Sequence, residues 1–216
     1  MAFRFKKSGC VVAGTFNIYV VQPSLLVQLG IIPEDERKTQ LYVNLRQPSL
    51  KFTAEAMPGV NWTVSTEHLI AETDSPDVNC GNIMASVLDA LKYTPLRGIG
   101  TNLYLNADAK ELTSAAIRKV FPDLPEIRGG ETSQRTVHAA IKRDGAIFNI
   151  QASTTKAGIE LLLNVHTELT EVPKLSDANQ VAVEVARNFQ ARTEEAVNIA
   201  RELFGVEINH GGNNAD

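Results

Sequence analysis

Apolar residues recur along this chain in two rhythms, and the switches between them mark out its elements. Ile83, Val87, Leu88 and Leu91 fall at helical spacing, and Pro95 biases Thr94 away from helical angles. Gly98 and Gly100 then bracket Ile99 in an extended run that continues to Leu105. The pattern predicts a core helix from about Asn82 feeding a central strand. Two glycines within a strand mark a bulge or the close approach of another backbone.

Upstream, Cys10 to Gln22 is rich in Val, Ile, Tyr, Phe and Thr and reads as a strand, with Asn17 as a polar interruption. Pro23 and Ser24 open a short helix, Leu25 to Leu29, which Gly30 closes. Pro33 to Lys38 is a charged turn. Leu41 to Leu45, Leu50 to Ala54 and Val60 to Thr66 are three further strands, the last with Val60, Trp62 and Val64 on one face. Glu67 to Asp77 reads as an acidic loop. Asp108 is placed to cap a helix from about Ala109 to Phe121, with Leu112, Ala116 and Val120 on its buried side.

Pro122, Pro125, Gly129 and Gly130 make the most loop-like stretch. They suggest two halves, 1–125 and 126–216, within what can equally be one continuous domain. The second half opens as a meander: Thr136 to Lys142, Ala146 to Gln151 and Gly158 to Thr167, with Asp144-Gly145 as the hairpin turn. A long helix from Ser176 to about Phe204 follows. Its stripe includes Val181, Val185, Phe189, Ala196, Ile199 and Leu203. Unbroken, it would span about 40 Å, enough to project beyond a small sheet.

Hairpin-linked strands with few helices indicate an α+β fold: mostly antiparallel sheet covered on one face by helices, in two similar halves, with a long C-terminal helix. The excess helix length makes Val185, Phe189, Ile199 and Leu203 candidate interaction residues for a protein partner or a second copy.

Composition narrows the functions. The chain has 216 residues, 44% hydrophobic and 21% charged, with a net charge of −4. An acidic balance argues against a chain-wide footprint for nucleic acid. A local basic patch from Arg135, Lys142, Arg143 and Lys156 stays open as an alternative. Cys10 and Cys80 show no metal-binding spacing and read as reduced thiols. No targeting segment and no membrane-spanning run is visible, so a cytoplasmic location is expected.

The Phe16-Asn17-Ile18-Tyr19 stretch, Pro23 to Leu26, Gly30 to Ile32, Trp62 to Ser65 and Thr94 to Asn102 resemble an uncharacterised family of bacterial and phage-associated proteins of similar length. The likeness covers mainly residues 10–105. It implies a bacterial or phage origin and brings no catalytic residue with it.

Catalytic motifs are thin. His138 should face about Gln151 in the meander, with His166 about 17 Å further along, too far to share a metal. His68 lies near Glu67, Glu72 and Asp74, a possible metal-dependent hydrolase site, but strand neighbours point to opposite faces. Cys80 precedes a helix, where a thiol pKa can fall. Gly98-Ile99-Gly100 and Gly129-Gly130 precede strands and not helices, so neither cradles phosphate. The balance favours a non-enzymatic assembly subunit without cofactor or metal, acting in a bacterial or phage-encoded complex. The alternatives are an accessory nucleic-acid-binding subunit in phage defence and a metal-dependent hydrolase.

Overall fold

The computed structural model describes residues 1–33, 39–44, 46, 48–54, 59–121 and 134–210, excluding the side chains of residues 39–41. The expected charged turn at 34–38 and the proline- and glycine-rich stretch from 122 to 130 lie outside the described residues. So does the 125/126 division.

The fold is α+β, with helices packed against one large antiparallel sheet. Its strands are β1 (Ala2–Gly14), β2 (Thr39–Asn44), β3 (Ser49–Ala54), β4 (Val60–Ser65), β5 (His68–Thr73), β6 (Leu96–Asp108), β7 (Thr136–Arg143), β8 (Ala146–Thr155), β9 (Gly158–Glu168) and β10 (Glu207–Asn209). They lie in the order β2-β3-β4-β5-β1-β6-β9-β8-β7, and β10 adds to β1 in parallel. The helices are α1 (Pro23–Gln28), α2 (Cys80–Ala90), α3 (Ser114–Val120), α4 (Leu175–Arg187) and α5 (Phe189–Phe204).

The two-half expectation has a structural form. Each half opens with a 13-residue strand, β1 or β6, and these two pair with each other at the middle of the sheet. Each then has a short helix, a meander and a covering helix. The repeat in element order falls at Leu96.

β1 carries the device that lets one strand serve both halves. Its register against β6 shifts between Phe5 and Lys7. A bulge of this kind reverses which side chains point inward. Before it, Phe3 and Phe5 face the helices; after it, Ser8, Cys10 and Val12 do. Lys6 and Lys7 both end on the uncovered face, where they pair with Glu160 at 2.7 Å and Glu72 at 3.0 Å.

Two cores lie under the helices. One gathers Trp62, Phe52, Leu69, Met84 and Leu88 beneath α2 and α4. The other gathers Phe3, Leu105, Phe148, Ile150 and Leu161 beneath α5. The C-terminal helix covers both, which accounts for its length. Ala182, Val185 and Ala186 enter the first core; Val197, Ala200 and Phe204 enter the second. The helix is not continuous: Asn188 interrupts it, and α5 restarts at Phe189. Nor does Ser176 cap it, since the helix starts at Leu175 without a side-chain cap.

Three further departures from the sequence pattern have physical causes. β1 ends at Gly14, not Gln22, because Asn17 closes a turn, its Oδ1 accepting from the Tyr19 N–H at 2.9 Å. The acidic stretch after Glu67 is in large part strand β5: Leu69, Ala71 and Thr73 face the core, while His68, Ile70 and Glu72 face outward. The helix expected after Asp108 is split. Asp108 caps a single 3₁₀ turn at Ala109–Glu111, and Thr113 caps α3 afresh through the Ala116 N–H.

Candidate functional site: an apolar cavity at the edge of the sheet

At the β2 edge the helical layer thins out, because α1 has only six residues. Pro at the start of α1 fixes its first turn, and Gly30, at φ +65°, turns the chain away after Leu29. The cross-strand pair Val43–Leu50 points toward this layer. Leu50 is covered, yet Val43 stays 53% exposed.

The gap is a cavity of about 490 Å³ walled by Ile18, Tyr19, Pro23, Val43, Pro48 and Leu50. Gln22 and Asn44 supply its polar groups, and among the described residues no charged side chain lines it. Tyr19 and Val43 stand exposed on its rim. Tyr19 is 79% exposed, and Val20 beside it is also exposed. Tyr42 is exposed on the opposite face of β2, next to Val43. No described strand pairs with the outer edge of β2. Backbone donors and acceptors at a sheet edge form a template for another extended chain.

The residues singled out from the sequence fall elsewhere. Val185, Phe189 and Ile199 are buried in the chain's own cores, and only Leu203, 46% exposed, remains at the surface. Of the basic residues, Lys142 and Arg143 lie at one end of edge strand β7. Arg135 lies at the other, where its N–H donates to Thr154, close to the β8–β9 turn that holds Lys156. About 23 Å of strand separates the two pairs. Arg143 is further engaged by Asp144 and Glu195, each at 3.5 Å. The four therefore do not converge.

His138 stands opposite Gln151, as expected, and His166 opposite Ile147. Four strand positions offset the two histidines by about 13 Å along the strands, and β8 lies between them. His68 and Glu72 are likewise four positions apart on β5, and Glu72 is committed to Lys7. No group of three or more His, Cys, Asp or Glu side chains able to hold a metal ion occurs among the described residues.

The cysteines are core residues. Cys80 is the first residue of α2, yet burial outweighs the helix terminus and pushes its thiol up to about 12. Cys10, fully buried, is pushed higher still by the same cause, with Cys80 adding to it. Neither is placed to act as a nucleophile.

The uncovered face of the sheet carries a second ordered feature. Asn102, Asn164 and Asn149 lie in register across β6, β9 and β8. The Asn149 amide donates to Asn164 at 3.0 Å, and Asn164 donates to Asn102 at 2.6 Å. Gly98 and Gly100 leave the room that this row and His166 occupy: a Cβ on Gly98 would stand 2.6 Å from the His166 ring.

No helix among the described residues is long and apolar enough to cross a membrane. No protein-family model matches the chain. No curated protein matches it either. Among solved structures, DynU16, described as a putative protein in the dynemicin biosynthetic locus, is similar over 88% of this chain and 99% of that chain, at 11% identity and a TM-score of 0.23. A likeness of that size carries no argument about fold or function.

Proposed function

We propose that this chain is a non-enzymatic interaction subunit of a bacterial or phage-encoded assembly, and that it engages its partner at the β2 edge. The observation that carries this reading is the 490 Å³ cavity, uncharged in its described lining, beside a sheet edge with which no described strand pairs, with Tyr19 and Val43 exposed on its rim. Apolar side chains gathered around an opening favour association, because their removal from water is worth about 25 cal/mol per Å².

The occupant is an extended segment of a second protein. Its backbone pairs with the outer edge of β2, and an apolar side chain enters the cavity between Pro23 and Leu50. The described lining residues are all uncharged, which favours an uncharged segment, since a charge buried against them would find no partner. Val43→Asp places a carboxylate in that wall and abolishes co-purification of the partner, whereas Leu203→Asp, at an exposed position on α5, leaves it intact. Retention of the partner by Val43→Asp would refute this location.

The nucleic-acid and hydrolase alternatives have no comparable geometry among the described residues. Their candidate side chains are spread over opposite strand ends or already paired.

A further inference from the structure

A second cavity, of about 230 Å³, opens on the helical side between the two cores, beside the break at Asn188. Three separate irregularities of the fold meet there. The bulge in β1 turns Ser8 inward. The helix break starts α5 at Phe189 and points Thr193 and Glu194 at the opening. The β10 strand, paired with the start of β1, delivers His210.

The side chains that meet form an ordered set of hydrogen-bonding groups. Glu194 Oε2 lies 2.8 Å from His210 Nε2, and Arg201 supports the same carboxylate at 3.7 Å. With Glu194 on Nε2, the second ring nitrogen, Nδ1, is left for a further hydrogen bond. Thr193 donates its hydroxyl proton to the Phe189 carbonyl at 2.9 Å, which leaves its oxygen as an acceptor. Asn79 spends its carbonyl on the Asn82 N–H at 3.0 Å and keeps its NH2 as a donor. Ser8 is nearly fully buried on the cavity wall and both donates and accepts. Phe5, Pro76, Val78, Leu103 and Phe189 add apolar wall, and Gln190 adds a further amide.

We infer that this cavity is a binding site for a small neutral amphiphile: a compact apolar body against Phe5, Leu103 and Phe189, with one hydroxyl or primary amide turned to Ser8, Thr193 and His210. A few convergent polar groups on apolar walls are the usual form of a small-molecule site. Glu194 at the mouth already engages His210 and Arg201, so the described residues there offer an anion no uncommitted cation. The site is separate from the β2 edge and does not depend on the partner proposed there.

The test is a titration of the full chain followed by the side-chain nitrogen resonances of its histidines. The probes are benzyl alcohol and benzamide, with toluene and benzoate as controls. The alcohol and the amide are expected to move His210 in a saturable way while His68, His138 and His166 stay still. Toluene lacks the head group and benzoate carries the wrong charge, so neither shifts His210. Ser8→Ala weakens binding at least fivefold with melting temperature retained, while Thr193→Val weakens binding at least fivefold and also lowers the melting temperature, because the Phe189 carbonyl loses its donor. Glu194→Gln, at a half-exposed position that tolerates change, admits benzoate. An unmoved His210, an equal response to toluene, or a Glu194→Gln variant that still excludes benzoate while Ser8→Ala binds as wild type would overturn the assignment.

Discussion

Gly81 and Phe189 meet where α2 touches the break in the C-terminal helix. A Cβ on Gly81 would stand 2.2 Å from the Cβ of Phe189 and 2.2 Å from the Ala186 carbonyl oxygen. No side chain fits there, so the first turn of α2 packs directly on the α4–α5 junction. That contact holds the helix break, with the cavity beside it, against the first core.

Gly81→Ala is therefore expected to lower stability by about 1–3 kcal/mol, in the range of overpacked cores, because backbone and not a flexible side chain must move. Gly100→Ala should cost less. Its added methyl meets the Asn164 amide nitrogen at 3.1 Å, a group able to shift by a few tenths of an ångström. Comparing the two in urea melts checks the order; equal midpoints would contradict the contact.

Trp62 anchors the first core. It is buried, and it stacks on Phe52 across β3 and β4, with ring centroids 6.0 Å apart and planes 10° apart. Trp62→Ala should cost about 3–5 kcal/mol, the range for deleting a buried aromatic. Trp62→Phe should retain most of that. Chemical denaturation measures both.

The two buried thiols give stability a defined alkaline limit. Cys80 is held near 12 in the folded chain against an ordinary value of 9.0, and Cys10 is raised further. A raised pKa stabilises the fold fully below about pH 9, where both states hold the proton. Above that the unfolded chain releases it first, so stability falls as pH climbs toward 12. Urea midpoints at neutral pH and above 9 should diverge, and the divergence should shrink in Cys10→Ala and Cys80→Ala.

The asparagine row on the uncovered face makes a smaller contribution. Asn164→Ala removes the middle amide and leaves Asn102 and Asn149 without their cross-strand partner. The face is half-exposed, so water replaces part of the loss and about 1 kcal/mol is expected. A thermal melt of this variant beside Asn61→Ala, an exposed asparagine on β4, checks the size of the effect.

Much of the sheet was legible in the chain because its strands alternate cleanly. Val60, Trp62 and Val64 on β4, and the β7–β9 meander with its Asp144-Gly145 turn, follow directly from pattern. β5 was hidden because Glu72 and its acidic neighbours outweighed the alternation of Leu69, Ala71 and Thr73. The first half of β1 was hidden because the bulge at Lys6 breaks the alternation between Phe5 and Ser8. The stripe along α4 and α5 was legible as apolar, but a stripe does not say what covers it. Here two cores use Val185, Phe189 and Ile199 internally. The edge cavity had no sequence signal. Ile18 to Pro23 and Val43 to Leu50 come together only through the pairing of β2 with β3 and the placing of α1 beside them. Single exposed apolar residues are common on any surface.

The most direct test of the account is to place a photo-crosslinking residue at position 43, purify the chain from its native host at low salt, and map what it captures. The account predicts a cross-link to an uncharged, extended stretch of one protein. That link should be lost with Tyr19→Asp and retained with Leu203→Asp. A chain recovered without cross-links from position 43, or a partner still bound stoichiometrically to the Val43→Asp variant, would contradict it.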